Sequence, residues 1–192
     1  MAAKILGVDL SGKDGRPTGF CLIMNNTVLS IGEFRTIRAL FEYISILEPD
    51  IVAIDAPLNF PKKGLYRDCD LMLKKYGLSP LSPMLEGMQA LVKRAIKLVG
   101  FLEEKKIRYI ETFPAGSIRL LGFKRKPKSK RGRREYFTEI CKLYGLEKIV
   151  DPSDLTKDEF DAFLCALAGY AYIKMRFIKF AGKECTIILP TL

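Results

Sequence analysis

Lys4-Ile5-Leu6-Gly7-Val8-Asp9, then Leu10-Ser11-Gly12-Lys13-Asp14-Gly15, is an apolar run that ends on a carboxylate and enters a glycine-bearing turn. It reads as a first strand. Thr18–Met24 reads as a second and Thr27–Phe34 as a third. The two residues between them, Asn25-Asn26, suit a type I′ hairpin, whose central positions both need positive φ. Three antiparallel strands are therefore expected at this end of the chain. Working outward, Ile37, Leu40, Phe41, Ile44 and Leu47 recur at helical spacing up to Pro49. Ile51–Asp55 is a short continuous apolar run, as in a parallel strand buried on both faces. Met84, Leu85, Met88, Leu91, Val92, Ala95, Ile96 and Val99 form the stripe of a long helix, and Ile107–Glu111 is another short strand. A helix is expected near Arg134–Tyr144. Thr156-Lys157-Asp158-Glu159 is a capping box that opens a helix running to about Lys174. Cys185–Leu189 reads as a last strand at an edge. Hairpins first and crossovers afterwards predict an α/β fold, a mixed sheet with helices on both faces.

The 192 residues suit one domain. It carries a proline-rich, lid-like excursion over about 56–83, holding Pro57, Pro61, Pro80, Pro83 and a short helical stretch at Arg67–Tyr76. Hydrophobic residues make up 48% and charged residues 28%, which excludes a disordered chain or a coiled coil. No apolar run is long enough to span a bilayer, so no membrane role and a cytoplasmic location are expected. Histidine is absent. Serine–histidine triads, cysteine–histidine dyads and histidine-bearing zinc sites are thereby excluded. The five cysteines lack a C-x-x-C pair and read as buried apolar residues in a reducing compartment. Scarce amides beside many Lys, Arg and Glu fit a thermophile.

Three apolar strands end on an acid: Asp9, Asp55 and Glu111. Ligands of open α/β sheets bind at such carboxyl ends. Neighbouring strands lie about 4.8 Å apart, so these carboxylates would converge. Converging carboxylates repel, and a hard divalent cation, Mg²⁺ or Mn²⁺, relieves that repulsion. Asp161 lies at the edge of the buried arc of the capped helix. Asp158 lies one turn earlier, where it also suits the helix dipole, and Glu159 is the capping-box partner.

The stretches GVDLSGKDGRPTGFCL (7–22), VAIDAPLNFP (52–61), YIETFPAG (109–116) and DEFDAFLCALAGY (158–170) together resemble domain-of-unknown-function family 429, predicted RNase H-like nucleases. The resemblance covers nearly the whole chain. It implies an RNase H-like fold, a five-stranded sheet of order 3-2-1-4-5 whose first three strands are antiparallel. The late helix, with two acids three residues apart, is also similar to that of the RuvC Holliday-junction resolvases. The resemblance implies Asp9 as the central metal ligand, Asp55 or Glu111 as the second, and Asp161 with Asp158 from the helix. The implied activity is two-metal phosphodiester hydrolysis with Mg²⁺ or Mn²⁺, directed at structured DNA or RNA.

Net charge is +10, and eight cations fall within eleven residues: Lys124, Arg125, Lys126, Lys128, Lys130, Arg131, Arg133 and Arg134. Without them the net charge would be +2. The segment 124–134 reads as an exposed, phosphate-binding arm. Lys13 and Arg67 are further candidate phosphate contacts, with an ion pair to Asp70 or Asp68 as the alternative role of Arg67. Two other functions compete with a nuclease. An actin-like or sugar-kinase-like ATP-binding protein shares the expected fold, although no P-loop motif is present. A non-catalytic nucleic-acid-binding module would need the arm and no acid cluster. A homodimer is compatible with the sequence.

Overall fold

The computed structural model describes residues 3–192. Eight strands form one mixed sheet. They are β1 (Lys4–Asp9), β2 (Thr18–Met24), β3 (Thr27–Phe34), β4 (Ile51–Asp55), β5 (Arg108–Glu111), β6 (Glu147–Lys148), β7 (Phe177–Ala181) and β8 (Thr186–Pro190). Their order is β6-β3-β2-β1-β4-β5-β8-β7. The expected 3-2-1-4-5 arrangement forms its middle: β1–β3 run antiparallel, and β4 and β5 join β1 in parallel. This is an RNase H-like fold. The sheet is larger than the expected five strands. β6 adds two residues beside β3, and the β7–β8 hairpin extends the other side. Phe177–Ala181 is a strand that no expectation covered, and β8 is not at the edge because β7 covers it.

The helices are α1 (Ile37–Leu47), α2 (Asp68–Lys75), α3 (Glu86–Glu104), α4 (Pro114–Leu120), α5 (Lys130–Tyr144) and α6 (Lys157–Ile173). They cover both faces of the sheet. Leu6, Val8, Val52 and Ile54 pack with Leu40 and Ile44 of α1 and with Ala95, Leu98 and Leu102 of α3. Ile5, Cys21, Ile23 and Ile51 pack on the other face, against α4, α5 and α6. Among the described residues no helix is long and apolar enough to cross a membrane.

α6 is the axis of the molecule. Its capping box forms as expected: Glu159 N donates to Thr156 Oγ1 (3.1 Å), and Thr156 N donates to Glu159 Oε2 (2.8 Å). Beyond the cap, every residue from Phe160 to Ala171 is buried, not only one arc. The sheet covers one side of α6, while α4 and α5 cover the other. The helix also lies unusually close to the strands. A Cβ on Gly7 would collide with Ala162 O and Ala166 N, and one on Gly19 with the Asp158 carbonyl. Both obstacles are backbone and cannot swing aside.

The 124–134 segment is only partly a loop. Its second half forms the first turn of α5, capped by Ser129, whose Oγ accepts from Gly132 N (3.1 Å). Helix rather than exposed arm results because Arg133 is buried: its Nε donates to Leu155 O (2.7 Å) and its Nη1 to Lys128 O (2.8 Å).

Two of the five cysteines are not free. Cys69 of α2 and Cys185 beside β8 form a disulfide across 116 residues, with Cα atoms 5.7 Å apart. The sequence hides this pairing because only the fold brings α2 against the hairpin. Cys21, Cys141 and Cys165 are free and buried.

Gly7→Ala should therefore cost at least about 2 kcal/mol, since overpacking here is against main chain. Urea unfolding measures it. An unchanged midpoint would mean that α6 does not rest on β1 as closely as described.

Candidate metal centre at the carboxyl end of the sheet

Asp9 and Asp55 are register partners at the ends of neighbouring parallel strands. Side chains alternate along a strand. Ile5 and Ile51 face α6, so Gly7, Asp9, Ala53 and Asp55 do as well. Asp161 comes from the second turn of α6 and is 2% exposed. Asp158 lies one turn before it, half-buried, where its charge acts on Asp9. The two close glycine contacts thus set the height at which the α6 acids meet the strand acids.

The centre is electrostatically stressed. Burial, followed by the charges of Asp55, Asp161 and Asp158, holds the Asp9 carboxyl well above the usual carboxylate range. Burial and the Asp161 charge push Asp55 up to about 7. The nearest cation is Lys126, whose ammonium donates to Asp161 Oδ2. Burial would lower the pKa of Lys126, but Asp161, Asp55 and Asp9 more than reverse this and keep it charged. The other Asp161 oxygen, Oδ1, is buried and accepts no hydrogen bond. An unpartnered anionic oxygen inside a set of repelling carboxylates fits a hard divalent cation.

Glu111 borders the same cleft as Asp9 and Asp55 and its charge acts on Asp55, but it comes from the other face of the sheet, which corrects its expected place beside them. β5 is displaced by one residue relative to β4, so Glu111 pairs with Ile54, not with Asp55. Its side chain therefore faces away from α6. There it meets Arg67, the residue before α2. Arg67 Nη1 and Nη2 donate to Glu111 Oε2 (2.8 Å) and Oε1 (2.5 Å). Nε and Nη2 also donate to Asp70 Oδ2 (3.0 Å) and Oδ1 (2.8 Å), and Nη1 to Asn59 Oδ1 (3.1 Å). Leu58 N adds a bond to Glu111 Oε2 (3.1 Å). Arg67 is 1% exposed. Its guanidinium is spent on two buried carboxylates and not presented to solvent, and it fastens the proline-rich excursion to the sheet. This corrects the expectation of a phosphate contact there.

Two other groups place three acid or thiol ligand atoms within 4.8 Å of one another: Cys69 with Asp70 and Glu111, and Asp68 with Cys69 and Cys185. Neither suits a cation. Arg67 already neutralises the first, and both include a disulfide sulfur. The Asp9–Asp55–Asp161 set is wider, with an ammonium against it.

A cleft of about 300 Å³ opens over Asp9 and Asp55, walled by Pro57, Pro80, Leu81, Met88 and Leu91. Lys157, the first residue of α6, also lines it. Sequence reasoning missed Lys157; its signal was its place beside the capping threonine. A smaller hollow of about 280 Å³ is lined by Arg119, Lys124, Arg125 and Lys126 with Gly77 and Ser79. Lys13 is exposed in the β1–β2 turn. Lys130 pairs with Asp154 (2.8 Å) and Arg131 with Glu135 (2.8 Å), both at the surface. Lys124, Arg125, Lys128 and Arg134 are exposed with no ion pair among the described residues.

Two outcomes follow from this electrostatics. The folded pKa of Asp55 lies above its unfolded value, so the fold favours the neutral acid. That contribution is complete below about pH 4 and is lost as pH rises through about 7. In EDTA, Asp55→Asn should stabilise the protein by on the order of 2 kcal/mol at pH 8 and much less at pH 5. Thermal melts at the two pH values decide it, and an equal gain at both would refute the assignment. Arg67→Met should cost about 3–5 kcal/mol, because it strands two buried carboxylates. Adding Glu111→Gln should recover part of that loss in the same melts.

Two Thermus thermophilus structures are similar to the chain in overall course. The first, RuvC in complex with a Holliday junction substrate, has a TM-score of 0.49 at 14% identity and covers 88% of this chain and 96% of its own. The second, a RuvC structure, has a TM-score of 0.46 at 12% identity, covering 89% and 96%. No curated protein matches the chain significantly. The profile of the family described as "Protein of unknown function (DUF429)" matches residues 7–175, and the chain belongs to that family.

Proposed function

We propose that this protein is a divalent-metal-dependent nuclease that hydrolyses phosphodiester bonds of structured nucleic acid at the Asp9–Asp55–Asp161 centre. The observation that carries the proposal is the buried, unpartnered Oδ1 of Asp161, set among carboxylates already raised by burial and by mutual repulsion. Mg²⁺ or Mn²⁺ held there would activate water and stabilise the leaving oxygen. Asp9, Asp55 and Asp161 are the ligands, and Asp158 is the further acid within electrostatic reach. Glu111 takes no part in ligation in this reading, since its two oxygens hold Arg67.

The chain's remaining residues would position the substrate. Lys157 contributes a cation to the cleft that holds Asp55. The Arg119–Lys124–Arg125 hollow suits a backbone phosphate beside the scissile one. Leu81, Met88 and Leu91 give the cleft an apolar wall that limits water. Four exposed, unpaired cations of the basic segment imply about four phosphate contacts and a log–log salt slope of about −4 on duplex DNA.

The test is a labelled panel of single-stranded, duplex, hybrid and four-way-junction substrates with Mg²⁺, Mn²⁺ or EDTA, beside Asp9→Asn. Cleavage that needs metal and vanishes in Asp9→Asn is expected, and it would identify the substrate class. Salt-sensitive binding without cleavage by either protein would replace the nuclease with a binding module.

A further inference from the structure

Of the eight cations in the basic segment, Lys126 alone pairs with an acid of the centre. It reaches inward from the loop between α4 and α5, and its side chain is 26% exposed. The loop is pinned at both ends. Phe123 packs against Tyr136 in a tilted pair with ring centroids 4.3 Å apart. At the far end, Arg133 holds the Lys128 carbonyl (2.8 Å). Between these anchors, residues 124–127 belong to neither helix nor strand, and their exposed members, Lys124 and Arg125, line the cationic hollow. Lys126 therefore belongs to two places at once. It borders the hollow, and its ammonium sits on Asp161 inside the carboxylate set.

An ammonium on Asp161 Oδ2 and a divalent cation on its free Oδ1 would share one carboxylate, and their charges repel. We infer that Lys126 is the resident counter-ion of the centre, which a divalent cation must displace, so that metal entry drives residues 124–127 outward and turns Lys126 toward phosphate. This rests on the reading of the acidic centre as a metal site. The coupling is reciprocal. A phosphate that captures Lys126 in the hollow empties the carboxylates for metal, and bound metal strengthens the grip on phosphate. Without nucleic acid the protein binds metal weakly, which restrains stray hydrolysis.

Calorimetric Mn²⁺ titration of the wild type, Lys126→Met and Lys128→Met tests the competition, with hydrogen exchange of the wild type as a readout that needs no variant. Lys126→Met should bind Mn²⁺ about tenfold more tightly, while Lys128→Met, from the same loop, should match the wild type. In the wild type, saturating Mn²⁺ should speed exchange of the hydrogen-bonded amides that bound the loop, Phe123 N on Ile118 O and Gly132 N on Ser129 Oγ. Equal or weaker Mn²⁺ binding by a folded Lys126→Met overturns the competition and leaves the metal site standing, as does unchanged exchange at saturation. Mn²⁺ binding by none of the three proteins overturns both. A tightened Lys126→Met beside a wild type that binds Mn²⁺ yet cleaves no member of the substrate panel removes the nuclease reading and keeps the competition.

Discussion

The contact on which the rest depends is main chain against main chain: α6 lying on β1 and β2 where Gly7 and Gly19 carry no side chains. Close approach places an acid-bearing helix against acid-bearing strand ends with no layer of side chains between. The cost is electrostatic. Three carboxylates, with Asp158 nearby, are held together out of water, and Lys126 relieves only part of the strain. Such a cluster is poor for stability on its own account. It persists because the apolar remainder of α6, buried from Ala162 and Phe163 through to Ala171, anchors the helix independently of its acids.

Much of this was legible in the sequence. The Asn25-Asn26 hairpin forms, although only Asn25 takes positive φ (57°) and the turn is therefore not the expected type I′, and the capping box at Thr156 opens α6 where expected. Both are local signals, written in neighbouring residues. The pairing of Asp9 with Asp55 was also readable, because both strands are short and end on their acid. Glu111 shows where such reading stops. Its strand looks like the other two, but which face a side chain takes depends on register against β4, and register is a long-range property. The same holds for Arg67 with Glu111 and for Cys69 with Cys185, which lie 44 and 116 residues apart in the chain. The basic segment misled for another reason. Its charge density masked a helix start, because one buried arginine, Arg133, satisfies backbone carbonyls and so stops being a surface charge.

The proline-rich excursion is held in place by more than Arg67. Glu184, in the β7–β8 turn, accepts from Lys62 N (2.7 Å) and Asp68 N (3.2 Å), and its own N donates to Asp68 Oδ2 (3.0 Å). Asn59 Nδ2 donates to the Glu184 carbonyl (3.0 Å). With the Cys69–Cys185 disulfide, these bonds make the excursion and the hairpin one body. That body meets the rest of the sheet at a narrow seam, since β5 and β8 pair only through Glu111 and Ile187. Glu111 is thus a joint: its backbone carries the seam and its carboxylate carries the excursion.

The one-residue displacement between β4 and β5 also bears on which length changes the chain tolerates. Glu111 and Ile110 occupy opposite faces, one on Arg67 and the other on the α6 core. Deleting a single residue inside β5 would exchange them, delivering a carboxylate to the apolar core and an isoleucine to a buried guanidinium. The turn around Lys105 and Lys106, where α3 gives way to β5, can absorb the same deletion without changing which face each side chain takes. Descendants of this sequence are therefore free to vary in length before β5, but not within it.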